Sequence, residues 1–270
     1  MKYSVLMTVY KNDNPIYFKL AVDSMINQTV KPDEIVLVKD GKITKELQSV
    51  IDKAKEKYKK IIEVDLEKNM GLGLALNEGI KKCKNDLIAR MDSDDISVEN
   101  RCEQQLEMFK KNKKLDIVGC PVLEFVDDVS NIVGKRDVPL TNDEIYKYAK
   151  RRDQFNHPTV MYRKKSVLFV GGYGNYRKNQ DTDLWIKMLY NKCKCANCKE
   201  YLLYFRFDDN TYKKRKSWTN TKTLIKIRWN AYKIRFCSFF DFIVVACTQF
   251  LMFLMPTCLQ KILYKNILRR

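Results

Sequence analysis

The chain has 270 residues, 45% hydrophobic and 31% charged, a balance that excludes intrinsic disorder and suits one α/β domain with an appendage or two small domains. Its formal net charge of +18 is uneven: residues 211–270 carry 13 Lys or Arg against one acid, Asp241, so the first 210 residues are nearly neutral. A nearly neutral body with a basic tail reads as a soluble domain whose tail meets a polyanion, either a membrane surface or nucleic acid.

The apolar run 3–9 predicts a buried first strand. It is too short for a signal peptide, and with nine scattered cysteines this fits a reducing, cytosolic setting. Tyr10, Asn12 and Asp13 follow that strand. A helical pattern over 16–26 leads to a second strand at 35–38, which is followed by Asp40 and Gly41. Helix 45–58 and strand 61–64 come next. Asn69-Met70-Gly71-Leu72-Gly73 then opens helix 72–83, where Leu72, Ala75, Leu76, Gly79 and Ile80 keep helical spacing. The fourth strand, 87–91, runs into Asp92-Ser93-Asp94-Asp95, and a helix over 98–110 follows. Strands alternating with helices of this length predict an α/β domain, a Rossmann-like, mostly parallel sheet with helices on both faces. Ligands sit at the carboxyl ends of the strands in such sheets. Each polar residue there reads alone as a turn former, but at three successive strand ends they converge on one crevice.

Three carboxylates within four residues repel one another unless a cation or hydrogen-bond donors hold them, so the acidic cluster predicts a divalent metal site. A metal beside acids in a basic protein points to an anionic substrate, most simply a phosphate ester. Two nucleotide motifs are excluded. The dinucleotide fingerprint needs a third glycine where this chain has Leu76, and its first glycines should follow the first strand directly. The phosphate loop of nucleoside triphosphatases needs a Gly-Lys-Ser/Thr ending, which is absent. Gly71 and Gly73 read instead as a tight helix start with free backbone N–H groups.

Seven motifs carry a resemblance by their order and spacing. Ser4-Val5-Leu6-Met7-Thr8-Val9-Tyr10, Asp40-Gly41, Asn69-Met70-Gly71-Leu72 with Ala75-Leu76-Asn77, and Ala89-Arg90-Met91-Asp92-Ser93-Asp94-Asp95 resemble the nucleotide-sugar half of family 2 glycosyltransferases with the GT-A fold. Asn156-His157-Pro158-Thr159-Val160-Met161, Gly171-Gly172-Tyr173 and Gln180-Asp181-Thr182-Asp183-Leu184-Trp185 continue it, over roughly the first 205 residues.

The resemblance implies a metal-dependent, inverting hexosyltransferase of the bacterial surface-polysaccharide type, with a nucleotide-diphosphate sugar, first of all a UDP-sugar, as donor. Thr8 and Tyr10 would line the base pocket, Asp40 would accept from the base's ring N–H, and Asp92 would bind the ribose or help hold the metal. Asp94 would ligate Mn²⁺ or Mg²⁺ on the diphosphate. His157 would complete the coordination or bind the diphosphate, although a lone histidine before Pro158 also reads as a packed turn residue. Asp181 would be the general base for the acceptor hydroxyl, giving one displacement with inversion. Gly171, Gly172 and the loop 173–179 would shape the sugar or acceptor pocket, with Trp185 either beside them or in the helix core. Asp95 reads as a helix N-cap or first-turn acid. Two positions depart from the family pattern: Gln180 stands where Glu often precedes the base, and Lys39 where an acid often precedes Asp40. Neither removes a group the mechanism needs.

The expected organisation is a catalytic domain over 1–210 and a basic, amphipathic helical tail over 211–270. Segment 236–255 has the length of a membrane span, but Ser238, Asp241, Thr248 and Gln249 share one side of a helical wheel and Pro256 ends it. A helix lying in the membrane interface is therefore expected, with Lys213-Lys214-Arg215-Lys216 before it and Lys261, Lys265 and Arg269 beside Leu259, Leu263 and Ile267 after it, facing anionic headgroups. A lipid-linked or oligosaccharide acceptor would suit a cytoplasmic protein held peripherally on the inner face of the cell membrane. Cys193, Cys195 and Cys198 lack a nearby fourth ligand and read as ordinary thiols. The rival readings are a nucleotidyltransferase, a silent nucleotide-sugar-binding module and a nucleic-acid-binding protein. No RNA-binding motif of aromatic strands is present, and no nucleic-acid partner is expected.

Overall fold

The computed structural model describes residues 1–207, 216–256 and 259–260. The first half alternates β1 (Ser4–Val9), α1 (Pro15–Ile26), β2 (Glu34–Lys39), α2 (Lys45–Lys57), β3 (Ile61–Asp65), α3 (Leu72–Lys82) and β4 (Leu87–Met91). Local signals start these helices. The Asn14 side chain accepts from Ile16 N and Tyr17 N ahead of Pro15, and Thr44 accepts from Leu47 N. The four strands pair in parallel in spatial order β3-β2-β1-β4.

After β5 (Ile96–Ser97) and α4 (Arg101–Lys111) come β6 (Leu115–Gly119), β7 (Val122–Phe125), β8 (Ile132–Arg136) and α5 (Asn142–Ala149). β9 (Met161–Arg163), α6 (Lys164–Phe169), α7 (Gln180–Tyr190), β10 (Lys194–Asn197) and β11 (Leu203–Arg206) complete the body. β9 runs antiparallel between β4 and β6, and β10 closes that edge. A second sheet has the order β5-β11-β7-β8.

Helices cover both faces of the main sheet, which is why β1 and β2 are buried along nearly their whole length. Val5, Met7, Ile35 and Leu37 pack with Phe18, Leu47, Ile51 and Phe109 on one face; Leu6, Val36 and Val38 pack with Leu76, Ile80, Leu184 and Trp185 on the other. Gly79 lets α3 lie close on the sheet: a Cβ there would sit 2.7 Å from Val38 Cγ2.

The helix expected from residue 98 begins at Arg101, because Ile96–Ser97 pairs with β11 in the second sheet. Asp95 is accordingly no helix cap. It is fully buried and accepts from Arg206 N at 2.8 Å.

Two C-terminal helices follow, α8 (Trp218–Lys233) and α9 (Phe239–Leu254). α8 docks on the body, with Ile227 and Ala231 in one apolar cluster with Ile186 of α7. α8 and α9 meet through the Trp229–Phe242 and Tyr232–Phe239 ring pairs. Ser238 and Asp241 form a capping box, so Asp241 starts α9 instead of interrupting a span. No helix among the described residues is long and apolar enough to cross a membrane. Lys213, Lys214, Arg215, Lys261, Leu263, Lys265, Ile267 and Arg269 lie outside the described residues.

Candidate active site

Chain order reverses about β1, with β2 and β3 on one side and β4 on the other, so the crevice of this sheet opens at the ends of β1 and β4. Met7 pairs with Met91, which brings Thr8 and Asp92 side by side one residue further on. Thr8 is half-buried and Tyr10, at the rim, is 38% exposed. At the end of β2 the Asp40 carboxylate accepts from Met70 N at 2.6 Å, Gly71 N at 3.0 Å and Asn69 Nδ2 at 3.0 Å. It thus ties the start of α3 to the crevice, and of a carboxylate's roughly four lone-pair positions one remains for a ligand's N–H. Gly41, at φ 83°, permits this approach, since a Cβ there would lie 2.8 Å from Asn69 N. Lys39 turns to Glu63 and Asp65, at 2.8 and 2.6 Å.

At the end of β4, the fully buried Arg90 guanidinium forms an ion pair with Asp92. Beneath the acidic turn lies Arg206, between the rings of Tyr17 and Phe125 at 3.7 and 4.5 Å, with Nε donating to Asp94 O at 2.9 Å. Burial, together with the charges of Asp94 and Asp92, holds Asp95 well above the ordinary carboxylate range. The same three influences push Asp13 up to about 6 against hydrogen bonds from Tyr10 N and Ser93. Asp13 therefore shares the negative crevice, a neighbour foreshadowed only by its place after β1. Among the described residues no three His, Cys, Asp or Glu side chains are arranged to hold a metal by themselves. Carboxylates completed by substrate phosphate oxygens and water are how a hard divalent cation such as Mg²⁺ commonly binds, and the donor chemistry here fits such an ion.

His157, read from the sequence either as a metal or diphosphate ligand or as a packed turn residue, lies inside the fold. Its ring is buried, Nε2 lies 3.0 Å from Tyr173 Oη, and burial followed by the Arg90 charge keeps it neutral. The ring packs edge-on against Tyr173 and Trp185. Trp185, 1% exposed, is likewise a core ring, edge-on to Phe155, His157 and Tyr173. Asn77 clamps Tyr173 from α3: Oδ1 accepts from Tyr173 N and Nδ2 donates to Tyr173 O, both at 2.9 Å. Gly171 and Gly172 form the turn that delivers Tyr173, with φ of 84° and 69°.

Asp181 lies in the first turn of α7, half-buried. Burial, then repulsion from Asp153, raises it to about 6 against the backbone N–H groups of Thr182 and Asp181. The negative charges of Asp181 and Asp92 both add to burial in raising the Tyr173 hydroxyl. Asp183 faces elsewhere and pairs with Lys187 at 2.6 Å. Cys193, Cys195 and Cys198 are buried in the apolar clusters, their thiols raised mainly by burial.

The family model described as Glycosyl transferase family 2 matches residues 4–171. The chain is 40% identical over 269 residues to the Escherichia coli UDP-Gal:alpha-D-GlcNAc-diphosphoundecaprenol beta-1,3-galactosyltransferase, covering 100% of this chain and 97% of that protein. It is 33% identical over 225 residues to the amylovoran biosynthesis glycosyltransferase AmsE of Erwinia amylovora, covering 83% and 84%. The mannosyltransferase PcManGT from Pyrobaculum calidifontis, solved with GDP-Man and Mn2+, aligns with TM-score 0.66 at 13% identity over 96% of this chain and 73% of that one. S. aureus TarS 1-349 with UDP gives 0.59 at 18% identity over 83% and 66%. The structural likenesses speak for the shared GT-A fold, and the family match and the end-to-end relative agree with the crevice: this chain belongs to glycosyl transferase family 2.

Proposed function

We propose that the chain is an inverting, divalent-metal-dependent hexosyltransferase that moves sugar from a UDP-sugar, first of all UDP-galactose, to a hydroxyl of a lipid-linked glycan. The observation that carries this reading is the crevice at the ends of β1, β2 and β4, where Asp40 holds the start of α3 and Asp92 pairs with the buried Arg90, together with Asp181 in the first turn of α7, raised to about 6. The donor and acceptor follow the Escherichia coli relative, named for UDP-Gal and a GlcNAc-diphosphoundecaprenol.

In this mechanism Tyr10 stacks on the uracil, Thr8 and Asp40 bound its pocket, and Asp92, paired with Arg90, binds the ribose. Asp94, with Asp13 beside it, would hold the divalent ion, which when bound supplies charge stabilisation to the departing diphosphate. Asp181 takes the acceptor hydroxyl's proton as that oxygen attacks the anomeric carbon from the face opposite the diphosphate. The bond to the diphosphate oxygen breaks as the new C–O bond forms, so configuration inverts with one base and no covalent intermediate. A carboxyl near 6 is ionised at neutral pH yet more basic than an ordinary aspartate.

A peripheral position on the inner face of the cell membrane belongs to the same reading, because α9 leaves Phe239, Phe240, Ile243, Phe250, Leu251 and Leu254 exposed. The test is thermal stabilisation of the full chain by UDP, GDP, dTDP and CMP with and without Mn²⁺, followed by transfer from UDP-galactose to a GlcNAc-diphosphate lipid. A metal-dependent shift with UDP, lost in Asp94→Ala, is expected. Absence of any nucleotide shift would overturn the proposal.

A further inference from the structure

We infer that the C-terminal helix α8 completes the active site: Arg228 holds Asp153 against the first turn of α7, and Arg228 and Asp153 are positioning residues for Asp181. This rests on the reading of Asp181 as the base.

Arg228 is 2% exposed, on the face of α8 turned to the body. One guanidinium nitrogen donates to Ala149 O at 2.5 Å and another lies 3.4 Å from Asp153 Oδ1. The same carboxylate oxygen accepts from Thr182 Oγ1 at 2.9 Å, and Thr182 is fully buried next to Asp181. Asp153 thus bridges the C-terminal helix and the helix that presents the base. A second grip holds the same loop: Arg151 Nε donates to Asp241 Oδ1 at 2.6 Å, and its guanidinium lies 5.3 Å over the Phe240 ring. Asp241 is the acid of the capping box that starts α9, so both C-terminal helices hold the loop that carries Asp153.

Electrostatics gives Arg228 a task that packing alone would not require. A guanidinium withdrawn from water carries a large desolvation cost unless a counter-charge meets it, and a purely apolar contact would suit Met or Leu at less cost. The groups facing Asp181 are Asp153 from the loop after α5, Arg136 from β8, Tyr173 from the loop after α6, and backbone N–H groups of α7. Arg136 also donates to Asp153 O at 3.2 Å. Arg228 reaches Asp181 through Asp153, whose negative charge it offsets. Removing Arg228 leaves Asp153 less compensated and favours protonation of Asp181. Removing the Asp153 charge does the opposite. Displacements of opposite sign are a signature that a merely structural contact does not produce.

The experiment uses the full chain and compares wild type with Arg228→Met, Arg228→Lys, Asp153→Asn and Asp181→Asn. It measures kcat, KM and the pH dependence of kcat, with stabilisation by UDP and Mn²⁺ as a check on the fold. In Arg228→Met kcat is expected to fall about tenfold with the UDP response intact, and Arg228→Lys to recover most of it. The acidic limb of kcat should move up by roughly half to one pH unit in Arg228→Met and down by a similar amount in Asp153→Asn. Limbs that stay in place in both variants, with the UDP response intact, would overturn the positioning role while leaving Asp181 as base if Asp181→Asn is inactive. Loss of the UDP response in both Arg228 variants would assign the arginine to folding alone and overturn the role as well. Full kcat in Asp181→Asn would remove the base itself.

Discussion

Replacing Asp181 by Asn should cost activity and increase stability at neutral pH. The carboxyl is raised from 3.8 to about 6, first by burial and then by Asp153. That gap of about two pH units corresponds to about 3 kcal/mol at roughly 1.4 kcal/mol per unit. Because the folded state binds this proton more tightly than the unfolded chain, the group's stabilising contribution is fully present below about pH 4. It is lost as pH rises through about 6, above which the ionised carboxylate carries the full cost in the fold. Asn is neutral at every pH and of the same shape. Allowing for the backbone N–H groups that favour the carboxylate, the variant should gain about 1–2 kcal/mol at pH 7.5, or roughly 2–8 °C in Tm. The gain should close toward pH 4, while kcat at pH 7.5 falls by about 10²–10⁴. Thermal unfolding across pH 4–8, beside single-turnover transfer, reads both quantities. A stability difference flat with pH, or a variant less stable at pH 7.5, would refute the account of a charge held against its environment for catalysis.

Asp40→Ala strands the backbone N–H groups of Met70 and Gly71; we expect a loss of about 2–4 kcal/mol by denaturant unfolding and weaker UDP binding by titration. Asn77→Leu removes both bonds to the Tyr173 backbone, and a loss of about 2 kcal/mol with lowered kcat and little change in UDP affinity is the expected outcome. Serine at Phe250, Leu251 and Leu254 together, residues 47%, 62% and 60% exposed, should lower partition onto anionic vesicles at least about a hundredfold in flotation assays. Unchanged partition would remove α9 from the membrane contact.

The parallel body of this protein was legible in its sequence because its signals are local. Apolar runs of strand length, helical spacing and turn residues mark β1–β4 and α1–α3 to within one residue at each end, and the order of seven motifs marks the family. The tail showed its charge and its exposed apolar ridge for the same reason. Tertiary structure alone decided which neighbours each polar residue meets. Asp95 looked like a helix acid until Arg206, 111 residues away, took it into the second sheet. The sequence left His157 between a ligand and a packed turn residue, and folding sets its Nε2 3.0 Å from Tyr173 Oη, with Arg90's charge near. The link from Arg228 to Asp153 spans 75 residues, and no periodicity within either segment encodes it. Periodicity reports which face of an element is buried, whereas charge and proton affinity depend on the neighbours folding brings within a few ångströms.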